Sequence, residues 1–537
     1  MKQRSRLALG SLVLGSIGVL CVLTRAAGLS VVAFLLGVAA FGTGGVAFWS
    51  IHRAPALLRG KGLAISGACL GVGASVFSFF VWVWMWVQQF DQPPRQQQPW
   101  HAPMLAGEAS AVAGLADEPV TNFTSNLPLV VLDSAGQSIS RDVPTGVRAK
   151  CFDTDDRRAC LGAKPDCDGL GTIHLRGTST LRLPKLSYTF RTGGGRTNQA
   201  KVSLLGLPAE EDWVLYAPFE DKTLIRDVLA YELARKMGHY APRTRYVELF
   251  VNTSGRPLSL RDYAGVYVLV EKIKRGKDRV NIAKLEPNHR AEPEITGGYI
   301  VKRDHNDRQD DRFHTQHGGP YFYVYPKAEA ITPEQKSWLA RYFNSFESAL
   351  DGPDFRDPQK GYRAFLDVDS FLDAHWLIEA GKNVDGFRYS AFLIKDRGGK
   401  LKPEPPWDWN RSFGNANYYG GWQVQGWYWS NLRSEEISWY LRLRQDPDFV
   451  RRCTDRWFEL RKDVFDPKKI NARVDELAAQ LEEAQQRNYR RWPVLGQQIT
   501  CNHYVGQSYQ DEVRWLKSWI QRRIAWIDSQ MDGPSQE

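Results

Sequence analysis

The stretch NVDGFRYSAFLIKDRGGKLKPEPPWDWNRSFG, residues Asn383–Gly414, predicts a β-hairpin with an aspartate near each end. Its apolar run Tyr389–Lys395 and the run Lys400–Trp407 are separated by DRGG, which contains the glycine that hairpin turns favour. The midpoint between Asp385 and Asp408 falls inside this turn. Antiparallel pairing therefore predicts that the two carboxylates lie side by side at the open end of the hairpin, with Cβ atoms about 5 Å apart.

Two carboxylates at this separation repel each other, so one is protonated or a cation lies between them. A divalent cation such as Mg²⁺ fits, because it takes carboxylate ligands together with substrate phosphates. One alternative is a general acid/base pair at the separation of a retaining glycoside hydrolase. The other is a pair of exposed carboxylates that form ion pairs with Arg388 and Arg411. The spacing alone leaves all three open.

The segments around the hairpin predict an α+β domain. The run LPLVVLDS from Leu127, the run Thr244–Asn252 and the run YAGVYVLVEKI from Tyr263 are typical of strands. The segment Asp221–Gly238 predicts a helix that Asp221 caps and Gly238 ends. From Glu435 onward helical patterns dominate.

Composition divides the chain into four predicted parts. They are a membrane domain at 1–90, a flexible linker rich in Gln, Pro and Ala at 91–126, the main α+β domain at 127–430, and a C-terminal helical part of the same domain at 431–537.

Three charge-free apolar runs predict three transmembrane helices before the soluble part: Leu7–Leu23, Leu29–Trp49 and Gly62–Val87. Each is close to the roughly 20 residues that a bilayer core requires. A cleavable signal peptide is the alternative for the first run. Basic residues precede the first run and lie between the second and third, so the positive-inside rule places everything after Val87 outside the cytoplasm.

The cysteines agree with an oxidising compartment. Cys151, Cys160 and Cys167 lie close together in the chain, which predicts a loop stapled by disulfides. Zinc is the alternative, but the trio lacks a paired C-x-x-C spacing. The net charge of +10 is spread along the chain with acids interleaved, which indicates a solvated basic surface and no nucleic-acid partner.

An ordered series of segments resembles the CotH kinase family, atypical protein kinases named after a spore-coat protein. Between Gly171 and Gly414 the matching segments are IHLRGTSTLRLPKLSYTFR, DWVLYAPFEDKTLIRDVLAYEL, YAGVYVLVEKI, GGYIVKRD, NVDGFRYSAFLI and PWDWNRSFG. The resemblance implies an atypical protein-kinase-like fold, ATP and Mg²⁺ (or Mn²⁺) as cofactors, and proteins with Ser or Thr acceptors as substrates. The amino-terminal part resembles small prokaryotic membrane domains, which implies a multi-pass protein of the bacterial cell membrane.

The resemblance also implies roles for the two aspartates of the hairpin. Asp385 would be catalytic and would orient or deprotonate the acceptor hydroxyl. Asp408 would bind the metal ion that bridges the ATP phosphates.

For the phosphates, the resemblance points to the segment RGTSTLRLPKLSY, in which we expect Lys185 first and Arg176 second to bind. By analogy with ordinary kinases, Glu271 is expected to orient Lys185. Arg226 is expected either to face the site or to pair with an acid on the surface.

Two positions depart from the family's pattern. Ser390 stands where members commonly have Asn, and Asn410 ends the W-D-x-D motif in place of Asp. Both side chains can coordinate a hard cation, but with less charge or less firmly than the residues they replace. We therefore expect weaker metal binding. A non-catalytic pseudokinase that serves adhesion or assembly at the cell surface is the alternative, and the scarcity of ATP outside the cytoplasm is a second reason to keep it.

Overall fold

The computed structural model describes residues 119–154, 157–193, 200–304, 311–432, 439–499 and 501–531. The three predicted membrane helices and most of the predicted linker lie outside these residues. Among the helices that the structure does describe, none has the length and apolar character needed to cross a bilayer. The last part of the predicted linker is paired, since the Val120 N–H donates to the Leu258 carbonyl at 2.8 Å.

The fold of the described part is α+β, as predicted. Its strands are β1 Thr124–Ser125, β2 Leu129–Asp133, β3 Thr145–Phe152, β4 Ala159–Cys160, β5 Cys167–Arg176, β6 Ser187–Thr192, β7 Asp212–Tyr216, β8 Thr244–Asn252, β9 Tyr263–Glu271, β10 Tyr299–Arg303, β11 Arg312–Thr315, β12 Gly318–Tyr325, β13 Ala391–Lys395 and β14 Leu401–Lys402. Its helices are α1 Arg226–Lys236, α2 Pro333–Asp351, α3 Val368–Gly381, α4 Trp439–Leu443, α5 Pro447–Arg461, α6 Pro467–Arg491 and α7 Tyr509–Ser529.

Seven strands form a closed barrel in the order β2-β3-β5-β6-β7-β9-β8. The neighbours are antiparallel except for β2 and β8, whose parallel pairing closes the barrel. Apolar side chains that include Ile173, Phe190, Trp213 and Val247 fill its interior. Because closure leaves no free strand edge, the barrel is a firm support for the turns at its ends.

A second sheet contains the hairpin and has the strand order β11-β12-β10-β13-β14. The predicted hairpin is confirmed, with Lys395 paired to Leu401 across the turn. The second strand is shorter than predicted, because Pro403, Pro405 and Pro406 follow it and a proline has no N–H to donate to a ladder.

The register of this hairpin corrects one prediction. Continuing the pairing of Lys395 with Leu401 outward would place Asp385 opposite Arg411 and not opposite Asp408. The ladder also ends well before either aspartate. The two carboxylates are therefore not directly opposed partners of one ladder, and tertiary packing decides where they lie.

The predicted helix near the hairpin is confirmed as α1. It begins at Arg226, whose backbone N–H donates to Asp221 Oδ2 at 2.8 Å, and it is followed by Gly238 with a positive φ of 94°. Glycine adopts this left-handed conformation without a steric penalty. Helix α1 packs against α3 within the largest apolar core, which brings its polar face to the loop that follows β14.

The disulfide staple predicted for the cysteine trio is not formed. All five cysteines in the described residues are thiols. Cys160 lies in β4, which pairs with β1, whereas Cys151 and Cys167 lie in the barrel strands β3 and β5. The folding of the chain thus separates Cys160 from the other two.

Candidate active site

A cleft of about 560 Å³ lies between one end of the barrel and the loop after β14. This volume is in the range of small-molecule sites, roughly 300–1,000 Å³. The segments that line the cleft include the turn between β5 and β6, residues at the ends of β9 and β10, the turn after α3 and the loop after β14. Both Asp385 and Asp408 line this cleft, so the predicted convergence of the two aspartates occurs without direct strand pairing.

Asp385 lies in a tight turn between α3 and β13. Its carbonyl oxygen accepts from the N–H groups of Arg388 and Tyr389, each at 2.7 Å, and its own N–H donates to Asn383 Oδ1 at 3.1 Å. The Tyr418 hydroxyl lies 3.5 Å from Asp385 Oδ2. These contacts fix the backbone of Asp385 and leave its side chain half-buried at the cleft.

Asp408 has a left-handed backbone, with φ of 63°. Helix α1 holds this conformation: the Asp408 N–H donates to the Tyr231 hydroxyl at 3.2 Å, and the Trp409 N–H donates to Asp227 Oδ1 at 2.8 Å. The Ser390 hydroxyl lies 3.5 Å from Asp408 Oδ2. Two positions predicted to bind metal, Asp408 and Ser390, are thus neighbours.

Three further carboxylates act on Asp408. Although its side chain opens to the cleft, the pKa of Asp408 is raised to about 6, first because the surrounding protein displaces water and then because the carboxylates of Asp385, Asp304 and Glu220 repel its charge. The attraction of Arg411 lowers this pKa in part. A cluster of oxygen donors with excess negative charge is the environment that a hard divalent cation binds.

Glu220 is a cleft residue that the sequence did not indicate. Its buried carboxylate accepts from Asn410 Nδ2 at 3.0 Å and lies 3.5 Å from the Arg411 guanidinium. Asn415 and Asn502 donate to its carbonyl oxygen at 3.2 and 2.7 Å. Asn410, predicted as a metal ligand, therefore lines the cleft with its amide nitrogen committed to Glu220.

The cations of the cleft come mainly from the barrel and the second sheet. Arg176 lies over the ring of Trp407, 5.1 Å from its centroid, which places this predicted phosphate ligand at the cleft. Lys302 and Lys272 also line it. Burial lowers the pKa of Lys272 to about 8 against the attraction of Asp212. Lys272 follows Glu271, and alternation along a strand is the signal that would have indicated it.

The structure does not place Lys185 at the cleft. Its ammonium is buried and donates to the Val266 carbonyl at 2.5 Å and to Asn488 Oδ1 at 2.8 Å. Glu271 pairs with Arg243 at 2.7 Å and Arg279 at 2.5 Å. The predicted pair of Lys185 and Glu271 is therefore wrong, because Lys185 faces helix α6 while Glu271 serves two arginines.

Arg226 neither faces the cleft nor pairs on the surface. Fully buried, it forms an ion pair with Asp221 at 2.5 Å and donates from Nε to the Ser412 carbonyl at 3.1 Å. Because Ser412 belongs to the same loop as Asp408, Arg226 connects α1 to that loop. Arg226 therefore stabilises the loop that carries Asp408, the candidate metal ligand.

A separate acidic cluster lies outside the cleft. Ligand atoms of Glu210, Glu211 and Asp212 come within 4.8 Å of one another. The ammonium of Lys274 lies 3.1, 3.3 and 2.8 Å from these three carboxylates. Lys274 therefore offsets part of the negative charge of this cluster.

Comparison with protein families identifies the family of the chain. The model of the family described as CotH kinase protein matches residues 173–527, well over half of the chain. The chain belongs to the CotH kinase family. The CotH match extends past the hairpin, so helices α4 to α6 and most of α7 are part of the family's domain. No curated protein matches the chain.

Membership in the CotH family has consequences for the activity. It implies a protein-kinase-like phosphotransferase that uses ATP and a divalent metal ion. The cleft provides both kinds of group that such chemistry needs: carboxylates for a metal ion and cations for phosphates.

Proposed function

We propose that this CotH protein is a membrane-anchored kinase that transfers the γ-phosphate of ATP to Ser or Thr hydroxyls of extracytoplasmic or envelope proteins. The observation that carries the proposal is that Asp385 and Asp408 line one cleft together with the cations Arg176, Lys272 and Lys302. Phosphoryl transfer relies on positioning and on neutralising charge, and this cleft holds groups for both.

The residues of the cleft fit a divalent ion. Asp408, Ser390, Glu220 and Asp304 offer oxygen donors. Burial first, and then repulsion from the carboxylates of Asp385, Asp304 and Glu220, raise the pKa of Asp408, while Arg411 lowers it in part. Mg²⁺ or Mn²⁺ would be held by Asp408 with these neighbours. When bound, the ion neutralises charge on the ATP phosphates.

The side chains of the protein bind the phosphates, position Asp408 and accept the proton of the acceptor. Arg176, Lys272 and Lys302 bind phosphate oxygens, and the hydrogen bonds that Asp408 and Trp409 donate to α1 keep Asp408 directed to the cleft. Asp385 orients the acceptor hydroxyl and accepts its proton as the hydroxyl oxygen bonds to the γ-phosphorus and the bond to the ADP oxygen breaks. Transfer of one phosphoryl group thus leaves ADP and a phosphoprotein.

A second candidate is a CotH pseudokinase that binds nucleotide without transfer and serves adhesion or assembly. It is favoured by the amide of Asn410, which is committed to Glu220, and by Ser390, which lies 3.5 Å from Asp408. These two positions hold weaker ligands than the family's Asp and Asn.

The experiment uses the full chain in detergent micelles with ATP labelled in its γ-phosphate, Mg²⁺ or Mn²⁺ and a generic protein substrate. We expect transfer by the wild type and by Asp369→Ala, whose exposed carboxylate pairs with Arg452. We expect none from Asp385→Ala. Thermal stabilisation by nucleotide without transfer supports the pseudokinase, and absence of both refutes nucleotide chemistry at this cleft.

The membrane placement needs its own test. A reporter enzyme that is active only outside the cytoplasm, fused after Gln98, should be active if the soluble domain lies outside. Activity of a cytoplasmic reporter at the same position would overturn the placement and would give the kinase direct access to cellular ATP.

A further inference from the structure

Two of the thiols are direct neighbours on adjacent strands of the barrel. Cys151 in β3 and Cys167 in β5 are direct partners in the antiparallel register of these strands. Residues opposed in this way have Cα atoms about 4.5 or 5.5 Å apart, and both values fall within the roughly 4.4–6.8 Å that a disulfide spans. A bond between these cysteines therefore needs no displacement of either strand.

The two thiols differ in access. Cys151 is 3% exposed and packs in the barrel core, whereas Cys167 is half-buried and lines a groove of about 320 Å³. The groove opens beside Leu170, which is 66% exposed. A small reagent from solvent thus reaches Cys167 first.

The thiols also differ in acidity. Hydrogen bonding with the neighbouring Cys151 thiol lowers the pKa of Cys167, while burial works in the opposite direction. The pKa of Cys151 is raised well above its ordinary value by the same hydrogen bond and by burial. Because the thiolate is the nucleophile, Cys167 is the more reactive of the two.

We propose that Cys167 is a thiol-modification site for small disulfides of the oxidised-glutathione class, with Cys151 as its resolving thiol. The Cys167 thiolate attacks one sulfur of the donor, breaks the donor's S–S bond and releases one donor thiolate. The Cys151 thiol then loses its proton and attacks the Cys167 sulfur, which forms the Cys151–Cys167 bond and releases the second donor thiolate. The donor takes up both electrons.

The effect of this bond is local to the loop between β3 and β5. That loop is already held in place, since Arg157 pairs with Asp166 at 2.8 Å and Arg158 pairs with Glu483 of α6 at 2.5 Å. Closing the ring would restrict the unfolded chain more than the folded one and so raise the unfolding temperature. This inference does not depend on the proposed kinase activity.

The test maps thiols in the full chain in detergent micelles. The reduced protein is equilibrated with mixtures of reduced and oxidised glutathione, alkylated with N-ethylmaleimide, digested without reductant and examined by mass spectrometry. We expect one cross-linked peptide pair that joins Cys151 to Cys167, with Cys160 alkylated, and a higher unfolding temperature of the oxidised form. Persistent alkylation of Cys167 in the folded protein, or a bond that involves Cys160, would overturn the proposal.

Two variants test the order of attack. Cys151→Ser should stop at a glutathione adduct on Cys167, whereas Cys160→Ser, the matched control, should still form the cross-link. A Cys151→Ser protein that folds and takes up no glutathione would overturn the assignment of Cys167 as the entry site. If that variant does not fold, the mapping of the wild type still decides which cysteines pair.

Discussion

Replacing Asp227 with Asn should remove a large part of the pH dependence of stability. Asp227 is 5% exposed, and its Oδ2 has no hydrogen-bond partner within the part of the chain that the structure describes. The pKa of Asp227 is raised from 3.8 to about 7, first by burial and then by repulsion from Asp408, while the hydrogen bond from the Trp409 N–H lowers it in part.

The direction in which pH changes the stability follows from proton binding at Asp227. Because the folded state holds the proton more tightly than the unfolded state, Asp227 contributes stability below its unfolded pKa of 3.8, and this contribution is lost as the pH rises through about 7. A shift of roughly three units corresponds to up to about 4 kcal/mol. The Asn variant is neutral at every pH and keeps an oxygen that accepts from Trp409.

The assay is urea unfolding of the full chain in detergent micelles, followed by tryptophan fluorescence with EDTA present to remove divalent ions. Between about pH 4 and about pH 8 the free energy of unfolding should fall more steeply for the wild type than for Asp227→Asn, by up to about 4 kcal/mol. Asp369→Asn, at a site whose side chain is 83% exposed, serves as the control and should follow the wild type. Parallel pH profiles for Asp227→Asn and the wild type would refute the reasoning.

Three further predictions concern the cleft and its support. Arg226→Ala leaves Asp221 as a buried unpaired charge, so the free energy of unfolding in urea should drop by about 3–5 kcal/mol. Lys272→Ala should raise the KM for ATP about tenfold in steady-state kinetics, whereas Lys185→Ala should leave the KM unchanged and lower the free energy of unfolding by about 1–3 kcal/mol. Transfer activity should decline as the pH falls through about 6, because protonated Asp408 cannot hold a cation. A higher Mg²⁺ concentration should move this decline to lower pH. A pH–rate profile at two Mg²⁺ concentrations checks both expectations.

Local sequence patterns predict several of the helices and strands. The hairpin, helix α1 and strands β8 and β9 follow from apolar alternation and a glycine stop, and the structure confirms them. The start of α1 differs from the prediction, because its N-cap is Ile225 and not Asp221. The W-D loop and the turn of Asp385 meet in one cleft through tertiary packing, which includes hydrogen bonds between this loop and α1. The hairpin pairing predicts their proximity, but the observed register does not place them opposite each other.

Three residues were not predicted correctly from the sequence, and the reason differs for each. Glu220 reaches Asn410 across 190 residues, and no local pattern marks such a contact. The predicted site residues do not include Lys272, which directly follows Glu271, although successive side chains of a strand face opposite sides. The family resemblance points to Lys185, but its partner Asn488 lies on a helix 303 residues later.

The most direct measurement of the central claim is calorimetric titration of ATP into the full chain with Mg²⁺. Binding should be observed for the wild type, should be kept in Asp385→Ala and should be lost in Asp408→Ala or in EDTA, because Asp408 is the residue that holds the metal ion beside the phosphates. Equal binding by the wild type and Asp408→Ala, or binding that does not depend on the metal ion, would contradict the assignment of this cleft.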